Sequence, residues 1–283
     1  MIKVIQSGIY TSIQDTGRNG YRNIGVPLSG SMDHISAFLA NALLNNNHDD
    51  ALMEITLNGP VLQFEVETSI VITGAEMSPT LNNNSIVNNK VYSLNSGDIV
   101  KFGKLTHGVR SYLGVVGGIH TKSILNSRSF FKGITPEAVV KKNDLISING
   151  SPSIQERQFG LLKAQNPFYV TNYLDVYKGP EFDLFTAEEQ KRIFQTEFSV
   201  AINNRMGYNF ENTIGAHTKN MLTSPVLPGT VQLLPNGKII VLMKDAQTTG
   251  GYPRILQLTE NSMAILSQKK QGDQIYFKPI SFD

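Results

Sequence analysis

What most constrains this chain is its punctuation. Short apolar runs at Met53 to Leu57, Val61 to Val66, Ile70 to Thr73, Ile99 to Phe102 and Ser111 to Val116 are separated by Asn58-Gly59-Pro60, Thr73-Gly74-Ala75, Asn82-Asn83-Asn84 and Ser96-Gly97-Asp98. Glycine permits positive φ, proline fixes φ and asparagine bonds to its own backbone, so each cluster ends a strand at a hairpin-like interval. Short strands at this spacing favour an all-β barrel or sandwich over a sheet built from βαβ units.

A faint internal repeat points to two such barrels. Gly97-Asp98-Ile99-Val100-Lys101-Phe102 recurs as Gly272-Asp273-Gln274-Ile275-Tyr276-Phe277, and the Gly59-Pro60 turn has a counterpart in Gly179-Pro180. The stretch from Ser151 to Pro167 is poor in strand signal and reads as a linker, which divides the chain into domains over 1–160 and 161–283. Two short helices interrupt the pattern. Ile35, Phe38, Leu39, Ala42 and Leu43 form one apolar stripe, with Ser31 as the expected N-cap, and Thr186-Ala187-Glu188-Glu189 reads as a capping box opening a helix through Phe194.

Composition removes several function classes. The 283 residues are 40% hydrophobic and 17% charged, enough for real cores. Lys+Arg 25 against Asp+Glu 23 leaves a formal charge of +2, too balanced to attract nucleic acid or an acidic membrane surface by bulk electrostatics. The absence of cysteine rules out disulfides, thiolate nucleophiles and Cys-ligated metal clusters. No signal-like h-region opens the chain, and no run approaches the roughly 18 apolar residues that span a bilayer. The expectation is a soluble, cytoplasmic protein.

Three polar loops hold the candidate chemistry. Lys244-Asp245-Ala246-Gln247-Thr248-Thr249-Gly250-Gly251-Tyr252-Pro253-Arg254 packs an acid, an amide, two hydroxyls, a phenol and two cations between two apolar runs, with two glycines that let the backbone approach a ligand. Gln14 to Asp33 carries Gly17, Gly20, Gly25, Gly30 and Pro27, which forbid regular structure, together with Arg18, Arg22 and Tyr21, which can grip an anionic or planar ligand. Asn203-Asn204-Arg205-Met206-Gly207-Tyr208 is the third.

Other motifs fail on spacing. Gly117-Gly118-Ile119-His120-Thr121-Lys122-Ser123 ends like a phosphate-binding loop, but no glycine precedes Lys122. The five histidines make no metal-binding spacing, so no metal site is expected. No nucleophile elbow is present, and Met243-Lys244 is followed by Asp245 where a biotin-accepting hairpin has a second methionine.

Taken together, Gln14 to Arg18, Gly25 to Asp33, Asn204 to Gly207 and Asp245 to Pro253 resemble the biotin-dependent carboxyltransferase family, which includes allophanate hydrolase subunit 2 and one of the subunits of bacterial 5-oxoprolinase. The resemblance runs from Val4 to Phe277, taking in Leu113 to Gly118 and Asn126-Ser127-Arg128-Ser129, and departs at Glu181, where the family more often has Gln. It implies a mainly β fold of two cyclophilin-like β-barrel domains with a few short helices. The function it implies first is ATP-dependent opening of 5-oxoproline to glutamate, with ATP bound by or shared with a partner subunit. The implied partners are an allophanate hydrolase subunit 1-like protein and a lactam-utilisation-like protein. Asp245 and Gln247 are the expected catalytic pair. Arg18, Tyr21, Ser29, Arg205, Thr248, Thr249, Gly250, Gly251 and Tyr252 are the expected substrate-binding residues, and Arg254 is a further cation for phosphate or carboxylate. Two other readings accompany the family: biotin-dependent carboxyl transfer of the urea carboxylase type, which requires a biotin carrier and a carboxylase, and a non-catalytic regulator that binds a sensor-kinase inhibitor.

Overall fold

The computed structural model describes residues 1–150, 168–219 and 221–281, so the linker expected over Ser151 to Pro167, and with it the 160/161 boundary, lies outside the described residues. The chain forms two compact units: Met1–Arg18 with the described part of Ser29–Pro167, and Asn19–Leu28 with the described part of Phe168–Asp283. The described residues are mainly β with three short α-helices. Among the described residues no helix is long and apolar enough to cross a membrane.

In the first unit the strands form two antiparallel sheets. One runs in the order Tyr10–Gln14, Leu52–Thr56, His107–Val115, Thr68–Glu76, Tyr92–Leu94; the other pairs Leu145–Ile146, Ile2–Gln6, Val61–Phe64, Ile99–Lys101, Thr80–Leu81 and Asn84–Ser85. The first sheet is covered on both faces. Met53, Ile55, Ile72 and Leu113 point into the main core, whereas Leu52, Val71 and Tyr112 pack against helix α1 (His34–Leu43). Such double burial is why Leu52 to Ile55 reads as a nearly continuous apolar run.

Helix α1 departs from its sequence reading in two ways. Its N-cap is Asp33, not Ser31: the Asp33 carboxylate accepts the Ser36 N–H at 3.0 Å and the Ser36 hydroxyl at 2.6 Å. Its fully buried positions are Ser36, Ala37, Ala40 and Asn41, while Phe38 from the expected stripe is 58% exposed. Small residues win that face because helix and sheet approach closely there. A Cβ on Gly114 of the sheet would stand 3.0 Å from Leu44 and 3.4 Å from Ala40. The approach is fixed by a buried polar network in which Glu54 Oε2 accepts the Met32 N–H at 2.8 Å and the Tyr112 hydroxyl at 2.9 Å, and the Tyr112 oxygen accepts the Asp33 N–H at 2.7 Å. Burial, reinforced by the Glu54 charge, pushes the Tyr112 phenol well above its ordinary range, so it remains a neutral donor.

The second unit is a closed barrel in the order Tyr173–Lys178, Arg254–Leu258, Thr230–Leu233, Lys238–Leu242, Gly207–Thr213, Phe198–Asn203, Gln274–Pro279, and parallel pairing of Tyr173–Lys178 with Gln274–Pro279 completes the ring. Phe198, Phe210 and Phe277 fill its interior at centroid separations of 5.2 to 6.3 Å. Helix α2 (Ala187–Gln195) opens with the expected capping box: Glu189 accepts the Thr186 N–H at 2.7 Å, and the Thr186 hydroxyl oxygen accepts the Glu189 N–H at 3.3 Å.

The sequence repeat is one turn used three times. The carboxylates of Asp98, Asp144 and Asp273 each accept the N–H three residues earlier, at 2.8, 2.7 and 2.9 Å. The residue before each Asp is left-handed, with φ of 97° at Gly97, 72° at Asn143 and 89° at Gly272, and its N–H donates to a strand carbonyl, that of Phe64, Val4 or Val200. The middle copy escapes a sequence search because asparagine, the non-glycine residue that best tolerates this conformation, stands in for glycine.

Removing one hydroxyl tests the network that seats α1. Tyr112→Phe removes the acceptor that the Tyr112 oxygen gives the Asp33 N–H and one of the donors to Glu54, so stability should fall by about 1–3 kcal/mol. The expected result is a lower urea midpoint at unchanged slope; a midpoint equal to wild type would contradict the network's role.

Candidate functional site

Two of the three polar loops meet in the second unit. Arg205 sits in the turn between the Phe198–Asn203 and Gly207–Thr213 strands, where the Asn204 side chain accepts the N–H groups of Met206 and Gly207 at 2.7 and 3.2 Å. The chain leaving the Lys238–Leu242 strand is zipped onto this turn, since the Met243 and Asp245 N–H groups both donate at 2.9 Å, to the carbonyls of Met206 and Arg205. That zip carries the Asp245 side chain onto a guanidinium 40 residues away. Arg205 Nε donates to Oδ2 at 2.8 Å and Nη2 to Oδ1 at 3.0 Å, with Arg205 only 5% and Asp245 only 6% exposed. Both carboxylate oxygens are therefore engaged by one fork.

Beyond the pair the loop turns outward. Gln247 and Thr249 are exposed and Thr248 half-buried. Thr249–Gly250 forms a two-residue ribbon with Ser224–Pro225, extended by the Val226 N–H donating to the Thr248 carbonyl at 3.1 Å. A Cβ on Gly250 would stand 2.5 Å from Gln232 Nε2, the end of a side chain that would have to shift. At Gly251, by contrast, nothing lies within 4 Å of that space. Tyr252 follows with 43% exposure.

Two further arginines hold the ribbon through consecutive carbonyls. Arg254 donates from Nη1 to the Pro225 carbonyl at 2.9 Å, while its Nε and Nη2 form a second fork on Glu181 at 2.9 and 2.7 Å. The hydrogen bond from Arg254 draws the Glu181 carboxyl below the usual carboxylate range, and the same contact raises the Arg254 guanidinium. Arg22 donates from Nη2 to the Val226 carbonyl. Tyr21, whose carbonyl accepts the N–H groups of Ile24 and Val26 at 3.2 and 3.3 Å, lies half-buried in the same turn.

Arg18 and Ser29 belong to the first unit. Arg18 is fully buried and donates to the Ser129 carbonyl. It flanks Asp15, whose Oδ1 accepts the Gly17 N–H at 2.8 Å and the hydroxyls of Ser127 and Ser129 at 2.7 and 2.6 Å, and whose Oδ2 accepts the Arg128 N–H at 2.5 Å. The segments Gln14 to Arg18 and Asn126 to Ser129 are thus joined through one carboxylate, which borders a polar cleft of about 210 Å³ shared with Asp49, Asp50 and Arg128. Ser29 is fully buried with φ at 56°, and its hydroxyl has no hydrogen-bond partner among the described residues.

Sequence reasoning passed over Glu181, Asp15 and the ribbon-holding role of Arg22. The departure at Gly179-Pro180-Glu181 marks the first, but its partner lies 73 residues on, a pairing that only the fold reveals.

The family of the carboxyltransferase domain, subdomains A and B, matches residues 24–279. The chain is 32% identical over 290 residues to a 5-oxoprolinase subunit of Escherichia coli (strain K12), covering 100% of this chain and 92% of that protein. It is 31% identical over 310 residues to the urea amidolyase of Saccharomyces cerevisiae, of which it spans only 17%. The crystal structure of the urea amidolyase of Kluyveromyces lactis superposes with a TM-score of 0.88 at 31% identity, over 99% of this chain and 19% of that one.

The Glu181–Arg254 fork predicts an acid-sensitive ribbon. Because the folded carboxyl titrates below its unfolded value of about 4.3, its contribution to stability is present above that value and is lost as pH falls through the lower folded one. The gap in melting temperature between wild type and Glu181→Gln should be widest near pH 7 and close below about pH 4. A gap that does not change with pH would exclude this linkage.

Proposed function

Because this chain belongs to the family of the carboxyltransferase domain, subdomains A and B, we propose that it is a subunit of an ATP-dependent 5-oxoprolinase, opening 5-oxoproline to glutamate together with partner subunits. The observation that carries this reading is coverage: the match to a single 5-oxoprolinase subunit extends over nearly the whole of both chains. The partners are an allophanate hydrolase subunit 1-like protein and a lactam-utilisation-like protein, and the assembly is cytoplasmic.

The chemistry explains why ATP is needed. A lactam is resonance-stabilised and its oxygen is a poor leaving group until phosphorylated, so the site requires cations for the anionic groups and fixed dipoles to orient the lactam and water. In this chain Gln247 and the Thr248 and Thr249 hydroxyls supply dipoles on the outward loop, Gly251 leaves room for a ligand beside its backbone, and Tyr252 offers a ring to a planar lactam. Asp245 is a positioning residue that works through Arg205: with both oxygens on one guanidinium, it fixes where the loop begins. ATP is assigned to a partner. The segment nearest in pattern to a phosphate loop does not fit a phosphate, since a Cβ on Gly118 would stand 2.9 Å from Asp50 Cβ and 3.4 Å from its Oδ1, setting a carboxylate against that turn.

Biotin-dependent carboxyl transfer is the second reading, favoured by the TM-score of 0.88 against a urea amidolyase. It requires a biotin carrier and a carboxylase on other chains. Reconstitution separates the two. ATP hydrolysis dependent on 5-oxoproline should appear only when this chain is combined with both partners, and each pairwise mixture should show little. Full turnover by this chain alone, or biotin- and bicarbonate-dependent carboxylation by an assembly with carrier and carboxylase, would displace the 5-oxoprolinase reading.

A further inference from the structure

The two guanidinium groups that hold the ribbon differ in one respect. Arg254 is neutralised by a bidentate carboxylate at 2.7 and 2.9 Å, whereas no carboxylate among the described residues pairs with Arg22. Arg22 Nη2 reaches the Val226 carbonyl, but Nη1 is enclosed by protein without an acceptor among the described residues, although the side chain as a whole is partly exposed. A single carbonyl dipole offsets little of a full charge, and a desolvated donor without an acceptor is a standing cost to the free chain. Burial pushes the Arg22 pKa down, yet a guanidinium stays protonated throughout the physiological range. The position is also informative. Val226 is bonded across the ribbon to Thr248, and the ribbon runs directly into Gly251, around which the space is open.

We propose that Arg22 anchors an anion site on the second unit, taking a carboxylate or phosphate oxygen of a small ligand held beside Thr248 to Gly251. The anion supplies the acceptor that Nη1 lacks and the negative charge that Glu181 already supplies to Arg254. The planar fork suits either oxyanion bidentately, a geometry that lysine cannot reproduce. That the ligand is the substrate's own carboxylate rests on the 5-oxoprolinase reading; the anion site itself does not.

The full chain is titrated with inorganic phosphate and with acetate, against chloride at equal ionic strength, and binding is read by calorimetry and as a rise in melting temperature. Wild type should bind both oxyanions, Arg22→Met should weaken each at least tenfold, and Arg22→Lys should fall between. Arg22→Met also removes the bond to the Val226 carbonyl, so its calorimetric titration is run at a temperature well below its own melting transition, which separates lost binding from lost folding. No response to either anion in wild type, or an undiminished response in Arg22→Met, would overturn the site. A second arm uses the reconstituted assembly, where Arg22→Met should raise KM for 5-oxoproline at least tenfold. If wild-type assembly does not turn over 5-oxoproline, the functional reading fails and the phosphate titration still decides Arg22. Unchanged KM with lost phosphate binding keeps the site but denies it the substrate carboxylate.

Discussion

A guanidinium and a carboxylate that leave water together recover that cost only when the geometry is close to ideal and the remaining polar atoms are engaged. Arg205 and Asp245 meet the first condition with parallel bonds of 2.8 and 3.0 Å. The backbone bond from the Asp245 N–H to the Arg205 carbonyl at 2.9 Å ties the same two residues a second way. The pair and the backbone bonds beside it fix where the loop begins as the chain leaves the strand ending at Leu242. Buried pairs of this kind add little net stability, but they penalise alternatives heavily, since any other loop path strands a charge. The pair therefore specifies where Gln247 to Tyr252 stand more than it strengthens the barrel.

The ribbon that follows is secured by a different device. Arg254 and Arg22 donate to the consecutive carbonyls of Pro225 and Val226, so two cations hold a two-residue strand too short to persist through its own pairing. One cation is balanced by Glu181 and the other by no carboxylate among the described residues. This asymmetry leaves uncompensated positive potential at Arg22, beside the ribbon.

Much of this was legible in the sequence, and the failures have physical causes. The turn clusters delimit strands because glycine, proline and asparagine act locally, and Thr186 with Glu189 forms the expected capping box for the same reason. Asp245 and Arg205 stand out as polar residues at strand ends, though nothing in the sequence says that they touch. The face of helix α1 departs from its hydrophobic periodicity, which assumes that large residues face inward. Close packing against Gly114 and Gly74 instead places Ala40 and Ser36 at the sheet, and Phe38 is exposed. Asp33 displaces Ser31 as N-cap because its carboxylate bonds both the N–H and the hydroxyl of Ser36. The pairing of Glu181 with Arg254 and the joining of two segments through Asp15 depend on contacts across 73 and 114 residues, and no local signal carries that information.

The central claim is that Asp245 acts through Arg205 to set the loop, and a double-mutant cycle tests it most directly. Arg205→Met should lower the unfolding free energy by about 3–5 kcal/mol because it strands the buried Asp245 carboxylate, and Asp245→Asn should lower it because it removes the charge from the fork. The double variant should lose at least about 2 kcal/mol less than the sum of the two, the signature of direct coupling. Effects that add to within about 0.5 kcal/mol would mean that the two side chains act independently, and would contradict the account.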